Sequence, residues 1–231
     1  MAGRLTGSLP RGESGRSPRD GFGRGRSNGA PFSIVVLASG RGTNFQAIID
    51  AAETGRLLAK VAGLVCDNPD APALERAARH RIPRLVVTRD SYASRSEFER
   101  DLVDAVRRFA PDLVVLAGFM RVLGDTFLSA FRDRIINIHP SLLPAFRGLD
   151  AQRQALEYGV RYSGCTVHFV DGGVDTGPII GQRVVPVLPD DTVDALSARI
   201  LTQEHELLVE CIKAIAEGKV HRDGRRVTIE T

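Results

Sequence analysis

The chain has 231 residues, 43% hydrophobic and 26% charged, with a formal net charge of +3 at pH 7, enough for one domain with a substantial core. Six of its basic residues fall in the first thirty positions against Glu13 and Asp20, so residues 31–231 hold 25 basic and 26 acidic side chains and are close to neutral. No apolar stretch approaches the roughly 18–20 residues that cross a bilayer, and the start lacks the apolar segment of a secretory signal, so neither a membrane span nor secretion is expected.

In chain order, residues 1–31 read as an extension. The first thirty hold eight glycines, four serines and two prolines, and their few apolar residues follow no period, so they cannot bury enough surface to offset the entropy of ordering and are expected to be disordered. Two alternatives are weaker. An organelle-targeting helix is opposed by Glu13, Asp20 and the glycines, and an RNA-binding arm would lack aromatic interleaving beyond Phe22.

From Phe32 onward, short β-branched apolar runs alternate with segments long enough for crossover helices. Candidate strands are Ser33–Ser39, Lys60–Cys66, Arg84–Val87, Asp112–Ala117 and Arg134–Ile138. Continuously apolar strands of this kind are covered on both faces, which predicts an open, mostly parallel twisted sheet in an α/β fold. Ser94 and Glu97 have capping-box spacing ahead of a helix running to about Phe109, before Pro111. After Pro140 the pattern changes. A helix over Asp150–Tyr158 is followed by Cys165–Val170 and Ile179–Val187, which look like antiparallel strands extending the sheet, then a long helix over Thr192–Ala216. Val220–Arg222 and Arg225–Ile229 flank Asp223-Gly224, a signal for a terminal hairpin. Residues 32–231 are therefore expected to form one domain. Cys66, Cys165 and Cys211 are odd in number and lack zinc spacing, as reduced core thiols of a cytoplasmic protein would be.

Four places have the composition of a site. Ser39-Gly40-Arg41-Gly42-Thr43-Asn44 ends the first strand and opens a helix, where backbone N–H groups and the helix dipole attract an anion such as phosphate. The alternative is a plain glycine turn. A dinucleotide fingerprint would need glycine where Phe45 stands, although Asp67 could mimic its ribose-binding acid, and the Gly-Lys-Ser/Thr ending of a P-loop is missing. Asn137 and His139 lie two apart on a strand that Pro140 ends, so they share a face. An amide beside an imidazole suits oxyanion stabilisation with proton transfer, unless His139 is only a hydrogen-bonded strand-end histidine. Asp171-Gly172-Gly173-Val174-Asp175 is a loop whose aspartates are either ordinary turn residues or, for Asp175, a partner that raises the imidazole pKa of His139. Glu204 interrupts the apolar stripe Val193, Leu196, Ile200, Leu207, Leu208, Cys211, Ile215 of the last long helix. A carboxylate there must be paired or wet, so it either grips a ligand in a cleft or lies at a rim.

Together these motifs resemble the folate-dependent phosphoribosylglycinamide formyltransferases over residues 33–217. The matching blocks, in the family's order, are Val35–Ile48, Val114–Leu123, Asn137–Pro144, Gln154–Gly159, Thr166–Val170, Val174–Ile179 and Gln203–His205. The resemblance implies transfer of a formyl group from 10-formyltetrahydrofolate, a co-substrate, to the amine of glycinamide ribonucleotide in purine biosynthesis, without a metal, nucleic acid or membrane, by a monomer or homodimer. It implies that Asn137, His139 and Asp175 are catalytic, and that Gly42, Thr43, Asn44, Phe45, Gln46 and Glu204 bind the ribonucleotide. The folate would meet Arg95, Met120, Arg121, Val122, Leu123, Asn137 and the loop Asp171, Gly172, Gly173, Val174. Arg147 and Asp150 depart from the family's usual proline and histidine, which puts the contacts of that segment in question. A methionyl-tRNA formyltransferase would need more chain after Ala216, a formyltetrahydrofolate deformylase a regulatory domain before Phe32, and a non-catalytic nucleotide-binding regulator would have no use for the trio.

Overall fold

The first strand, β1 (Phe32–Ala38), shows why the sheet lies in the middle of the molecule. Ile34, Val36 and Ala38 join one buried cluster while Val35 and Leu37 join another, so alternate residues feed opposite faces. The computed structural model describes residues 30–230; the expectation of disorder for the start of the chain falls on residues 1–29, which lie outside the described residues. β1, β2 (Ala59–Cys66), β3 (Arg84–Val86), β4 (Leu113–Leu116) and β5 (Ile135–His139) are parallel, and β6 (Tyr162–Phe169) and β7 (Ile179–Pro186) add antiparallel strands beyond β5. The seven strands run in the order β3-β2-β1-β4-β5-β6-β7. A separate antiparallel pair, β8 (Val220–Asp223) and β9 (Arg226–Ile229), follows.

Helices cover both faces. α1 (Thr43–Glu53) and α6 (Val193–Ala216) bury Phe45, Ile48, Leu196, Ile200, Leu208 and Ile212 on one side. α3 (Arg95–Arg107) and α4 (Asp125–Ala130) bury Phe98, Leu102, Val106 and Phe127 on the other. Each such side chain contributes roughly 1.5–3 kcal/mol relative to exposure. α2 (Ala73–Arg79) and α5 (Ala151–Tyr158) complete the connections. The Ser94 capping box forms as its spacing predicts, with Ser94 accepting from the Glu97 amide and Glu97 accepting from the Ser94 amide. α3 ends at Arg107, two residues before the expected stop, because the chain turns at Ala110 (φ 44°) ahead of Pro111. The terminal hairpin turns at Gly224-Arg225, one residue later than expected, since Asp223 pairs with Arg226.

β1 has β2 on one side and β4 on the other, so the strand order reverses between β1 and β4. In open α/β sheets ligands bind outside the carboxyl ends of the strands at such a point. The loops after β1 and β4 are tied to each other there, the Ser39 amide donating to the Gly118 carbonyl (3.0 Å) and the Met120 amide to Ser39 Oγ (2.9 Å).

Candidate active site

At the carboxyl ends of β1, β4 and β5 lies a cavity of about 970 Å³. Its polar centre follows from strand register. On β5, Ile136 and Ile138 face the α1/α6 core, which turns Asn137 and His139 to the other side. The antiparallel β6 places His168 opposite Asn137 and Thr166 opposite His139, so four polar side chains share one face. Asp175 comes to them from the loop after β6. It adopts φ 52°, a left-handed conformation that Asp tolerates better than most residues. Gly177 completes that loop, because a Cβ there would sit 1.7 Å from the Phe169 carbonyl oxygen.

Asp175 is the hub. Oδ2 accepts from the Gly148 amide (2.8 Å) and lies 3.3 Å from His139 Nδ1, while Oδ1 lies 3.4 Å from Asn137 Nδ2 and 3.5 Å from His168 Nε2. Burial works against its charge, but the His168 imidazole, the Gly148 amide and the His139 ring outweigh burial and hold the carboxyl below its usual range. His139 is 5% exposed and donates from Nε2 to the Phe146 carbonyl (2.8 Å). Burial lowers its pKa, and the Phe146 carbonyl and the Asp175 carboxylate oppose that without overcoming it. The expected meeting of the two groups is present; the expected raised imidazole pKa is not, because desolvation by burial dominates.

His168 was not singled out from the sequence. Its Nδ1 donates to the Phe169 carbonyl (2.8 Å) and its Nε2 stands 3.2 Å from Asn137 Nδ2. The signal was a histidine inside a buried strand, but its pairing with Asn137 needs the register across 31 residues. Gly148 was missed as an active-site residue for the same reason. The segment carrying Arg147 and Asp150 touches the trio through its backbone, with Phe146, Gly148 and Asp150 all at positive φ.

At the other end of the cavity, Gly42 is the N-cap of α1, at φ 68°, and a Cβ on it would approach Ala73 Cβ to 2.7 Å. Only glycine fits there. Gly40, Arg41, Gly42, Thr43 and Asn44 line the cavity. Phe45 does not, since its side chain is fully buried in the core, and Gln46 turns away to Asp50 Oδ1 (2.8 Å), His80 (3.0 Å) and Arg76 (3.1 Å). Glu204 also lines the cavity and is 6% exposed, accepting from Asn44 Nδ2 (2.8 Å). Burial raises its pKa against the opposing Asn44 bond. Asn44 Oδ1 is buried without a partner among the described residues, an acceptor left for a ligand donor.

The β4 loop supplies an apolar wall. Met120 and Val122 are 63% and 60% exposed, large apolar side chains for a flat ligand to cover. Arg121 lines the cavity with its guanidinium held by the buried Asp67 (2.6 Å), so Asp67 serves as an arginine anchor and not as a ribose-binding acid. Arg95 lies outside the lining, bonded to Glu99 (2.8 Å) and to the Val122 carbonyl (2.9 Å), at the edge of the same loop. Asp171, Gly173 and Val174 line the cavity and Gly172 does not. Among the described residues no cluster of His, Cys, Asp and Glu could hold a metal ion, and no helix is long and apolar enough to cross a membrane.

Helix-terminal amides at one end, an amide, two imidazoles and a carboxylate at the centre, and an apolar wall beside them make up a site of the kind an α/β group-transfer enzyme carries. Comparison with known proteins makes the class specific. The chain belongs to the formyl transferase family, which matches residues 32–212, and within it to the phosphoribosylglycinamide formyltransferases. It is 43% identical over 203 residues to phosphoribosylglycinamide formyltransferase of Escherichia coli, covering 85% of this chain and 96% of that one. Glycinamide ribonucleotide transformylase 1 from Symbiobacterium toebii superposes with a TM-score of 0.85 at 51% identity, over 87% of this chain and 95% of that one. A formyltetrahydrofolate deformylase from Pseudomonas syringae shares the fold (TM-score 0.81) at 25% identity, but this chain covers 66% of it.

Proposed function

We propose that the cavity at the ends of β1, β4 and β5 is where this chain performs its family's reaction, with Asn137, His139 and Asp175 as the reacting centre. The chain transfers the formyl group of 10-formyltetrahydrofolate to the amine of 5'-phosphoribosylglycinamide, giving formylglycinamide ribonucleotide and tetrahydrofolate in purine biosynthesis. The observation that carries the assignment of roles is Asp175 standing within 3.5 Å of Asn137, His139 and His168 in one cavity with the Gly42–Asn44 amides and Glu204.

The substrate phosphate is received by the amides at the start of α1, and Glu204 with Asn44 holds the glycinamide portion. The exposed Met120 and Val122, with Leu123 and the loop Asp171–Val174, form the folate surface, and Arg95 stands at its edge for the cofactor's tail. The neutral amine attacks the formyl carbon, a carbon–nitrogen bond forms, the bond to the folate nitrogen breaks, and the proton lost by the amine ends on that nitrogen. Asn137 donates to the oxyanion, a contribution of roughly 3 kcal/mol for one such donor. The His139 imidazole stands beside the same oxyanion, its protonated form favoured by the Asp175 carboxylate against the opposing effect of burial. Asp175 orients the ring and relays the amine proton through a water.

Residues 32–231 form the catalytic unit and residues 1–31 an extension outside it. The three cysteines are free and buried, their thiols pushed up to about 12 by burial, which suits a reducing cytoplasm. On this reading the enzyme acts as a monomer or a homodimer. The test is absorbance-monitored tetrahydrofolate formation with glycinamide ribonucleotide, run beside formylmethionyl-tRNA synthesis and folate-only hydrolysis. Turnover only with the ribonucleotide is expected, and faster hydrolysis without it would overturn the assignment.

A further inference from the structure

We infer that Arg76, on α2 and outside the cavity lining, is a positioning residue for phosphate capture, presetting the backbone amides of Arg41 and Gly42. The inference rests on reading the loop before α1 as the phosphate end of the cavity. In a trans peptide the carbonyl and the following N–H point in opposite directions. Whatever holds the carbonyls of residues 40 and 41 therefore aims the amides of residues 41 and 42.

Both carbonyls are held by α2. The Ala73 amide donates to the Gly40 carbonyl (3.2 Å), and Arg76 Nε donates to the Arg41 carbonyl (2.8 Å). Arg76 Nη1 also donates to Gln46 Oε1 (3.1 Å), which ties the same guanidinium to the second turn of α1. The helix is packed hard against the loop, with Ala73 Cβ 2.7 Å and Arg76 Cδ 3.6 Å from where a Gly42 Cβ would be. With these carbonyls turned to α2, the amides of Arg41 and Gly42 turn the other way, and no described residue accepts from them. Arg41 and Gly42 line the cavity, and successive free amides next to a left-handed residue make an anion-binding concavity. Arg76 forms no ion pair among the described residues, so its part here is to fix a peptide plane.

The isostere that separates this role from charge or bulk is glutamine. Its amide nitrogen is attached to Cδ as Arg Nε is, so Arg76→Gln keeps the donor to the Arg41 carbonyl without the charge. Arg76→Met keeps length and apolar contact but has no donor. In steady-state assays of the full chain, R76M should raise KM for glycinamide ribonucleotide about tenfold, with kcat and KM for 10-formyltetrahydrofolate within about twofold of wild type, and R76Q should recover most of the loss. With the dephosphorylated glycinamide riboside as substrate, R76M and the wild type should behave alike. The inference fails if R76M leaves the ribonucleotide KM unchanged, if R76Q is as impaired as R76M, or if the loss is as large with the riboside. If the wild type itself does not distinguish ribonucleotide from riboside, the phosphate reading of the loop fails and this inference with it.

Discussion

Asp175→Asn isolates the carboxylate's charge from its geometry. Asn accepts the left-handed backbone that Asp175 adopts (φ 52°), so the loop has no conformational reason to move. The carboxylate accepts from the Gly148 amide on Oδ2 and from Asn137 Nδ2 on Oδ1, with the His139 and His168 ring nitrogens 3.3 and 3.5 Å away. An amide has one acceptor. Whichever way it is placed, its NH₂ group confronts either the Gly148 N–H or the Asn137 amide, and one charge-assisted hydrogen bond is lost, about 1.5–3 kcal/mol before relaxation. The catalytic cost is larger. Loss of the relay and of the charge that supports a protonated His139 should lower kcat by about 10² to 10³, or roughly 3–4 kcal/mol of barrier, with both KM values within about threefold of wild type. The same variant should lower the His139 pKa further below its ordinary 6.5, because the carboxylate now opposes the effect of burial. Stopped assays with saturating substrates, together with NMR titration of labelled histidine, give both readouts. A kcat within fivefold of wild type, or a His139 pKa that rises, would refute the reasoning.

Glu204→Gln should trade stability against function. The folded-state pKa of Glu204 lies above its ordinary 4.5, so its contribution is fully present below that value and is lost as pH rises through the folded value. By thermal unfolding the variant should match wild type near pH 4 and exceed it at pH 7.5, while KM for the ribonucleotide rises at least about tenfold. Gly42→Ala combines left-handed strain with a 2.7 Å approach to Ala73 Cβ, and should cost about 2–4 kcal/mol in urea unfolding and weaken ribonucleotide binding. Removing residues 1–31 should leave kcat/KM within about twofold of the full chain, and a larger fall would show that the extension takes part in catalysis.

The fold was legible wherever burial repeats along a strand or helix. The runs that became β1, β2, β4 and β5 are apolar because their sheet faces are largely covered, and composition records that directly, whereas β3, at the sheet edge, leaves Arg84 and Val86 exposed. Asn137 and His139 were legible as a pair because they share one strand. Asp175 was legible only as a candidate, since its approach depends on a turn closed by Gly177 under the Phe169 carbonyl. His168 and Gly148 were not legible as partners of the trio. One arrives by antiparallel register and the other by a backbone amide, and neither leaves a trace in residue type. Phe45 and Gln46 show the converse, because the block Val35–Ile48 places them in the family motif while helix geometry turns one side chain into the core and the other toward α2. The sign of the His139 shift needed the desolvation that only the closed cavity supplies.

The charge balance of the cavity explains why the aim of individual amides matters. Asp150, Asp171, Asp175, Asp194 and Glu204 line it against Arg41 and Arg121, five carboxylates to two guanidiniums. Those carboxylates oppose a phosphate while favouring the amine that is to be formylated. Residues 31–231 are nearly neutral overall, and exposed charges are screened beyond about 8 Å at physiological ionic strength, so no general field brings the phosphate in. Capture therefore falls to short-range dipoles at the start of α1. Dipoles of that kind act only when correctly aimed, and a loop left free to turn its carbonyls inward would repel the phosphate proposed to bind there. The two hydrogen bonds from α2 to the carbonyls of Gly40 and Arg41 settle that direction before substrate arrives. On the proposed reading, a helix that lines none of the cavity thus decides whether a phosphate can bind at an acidic site.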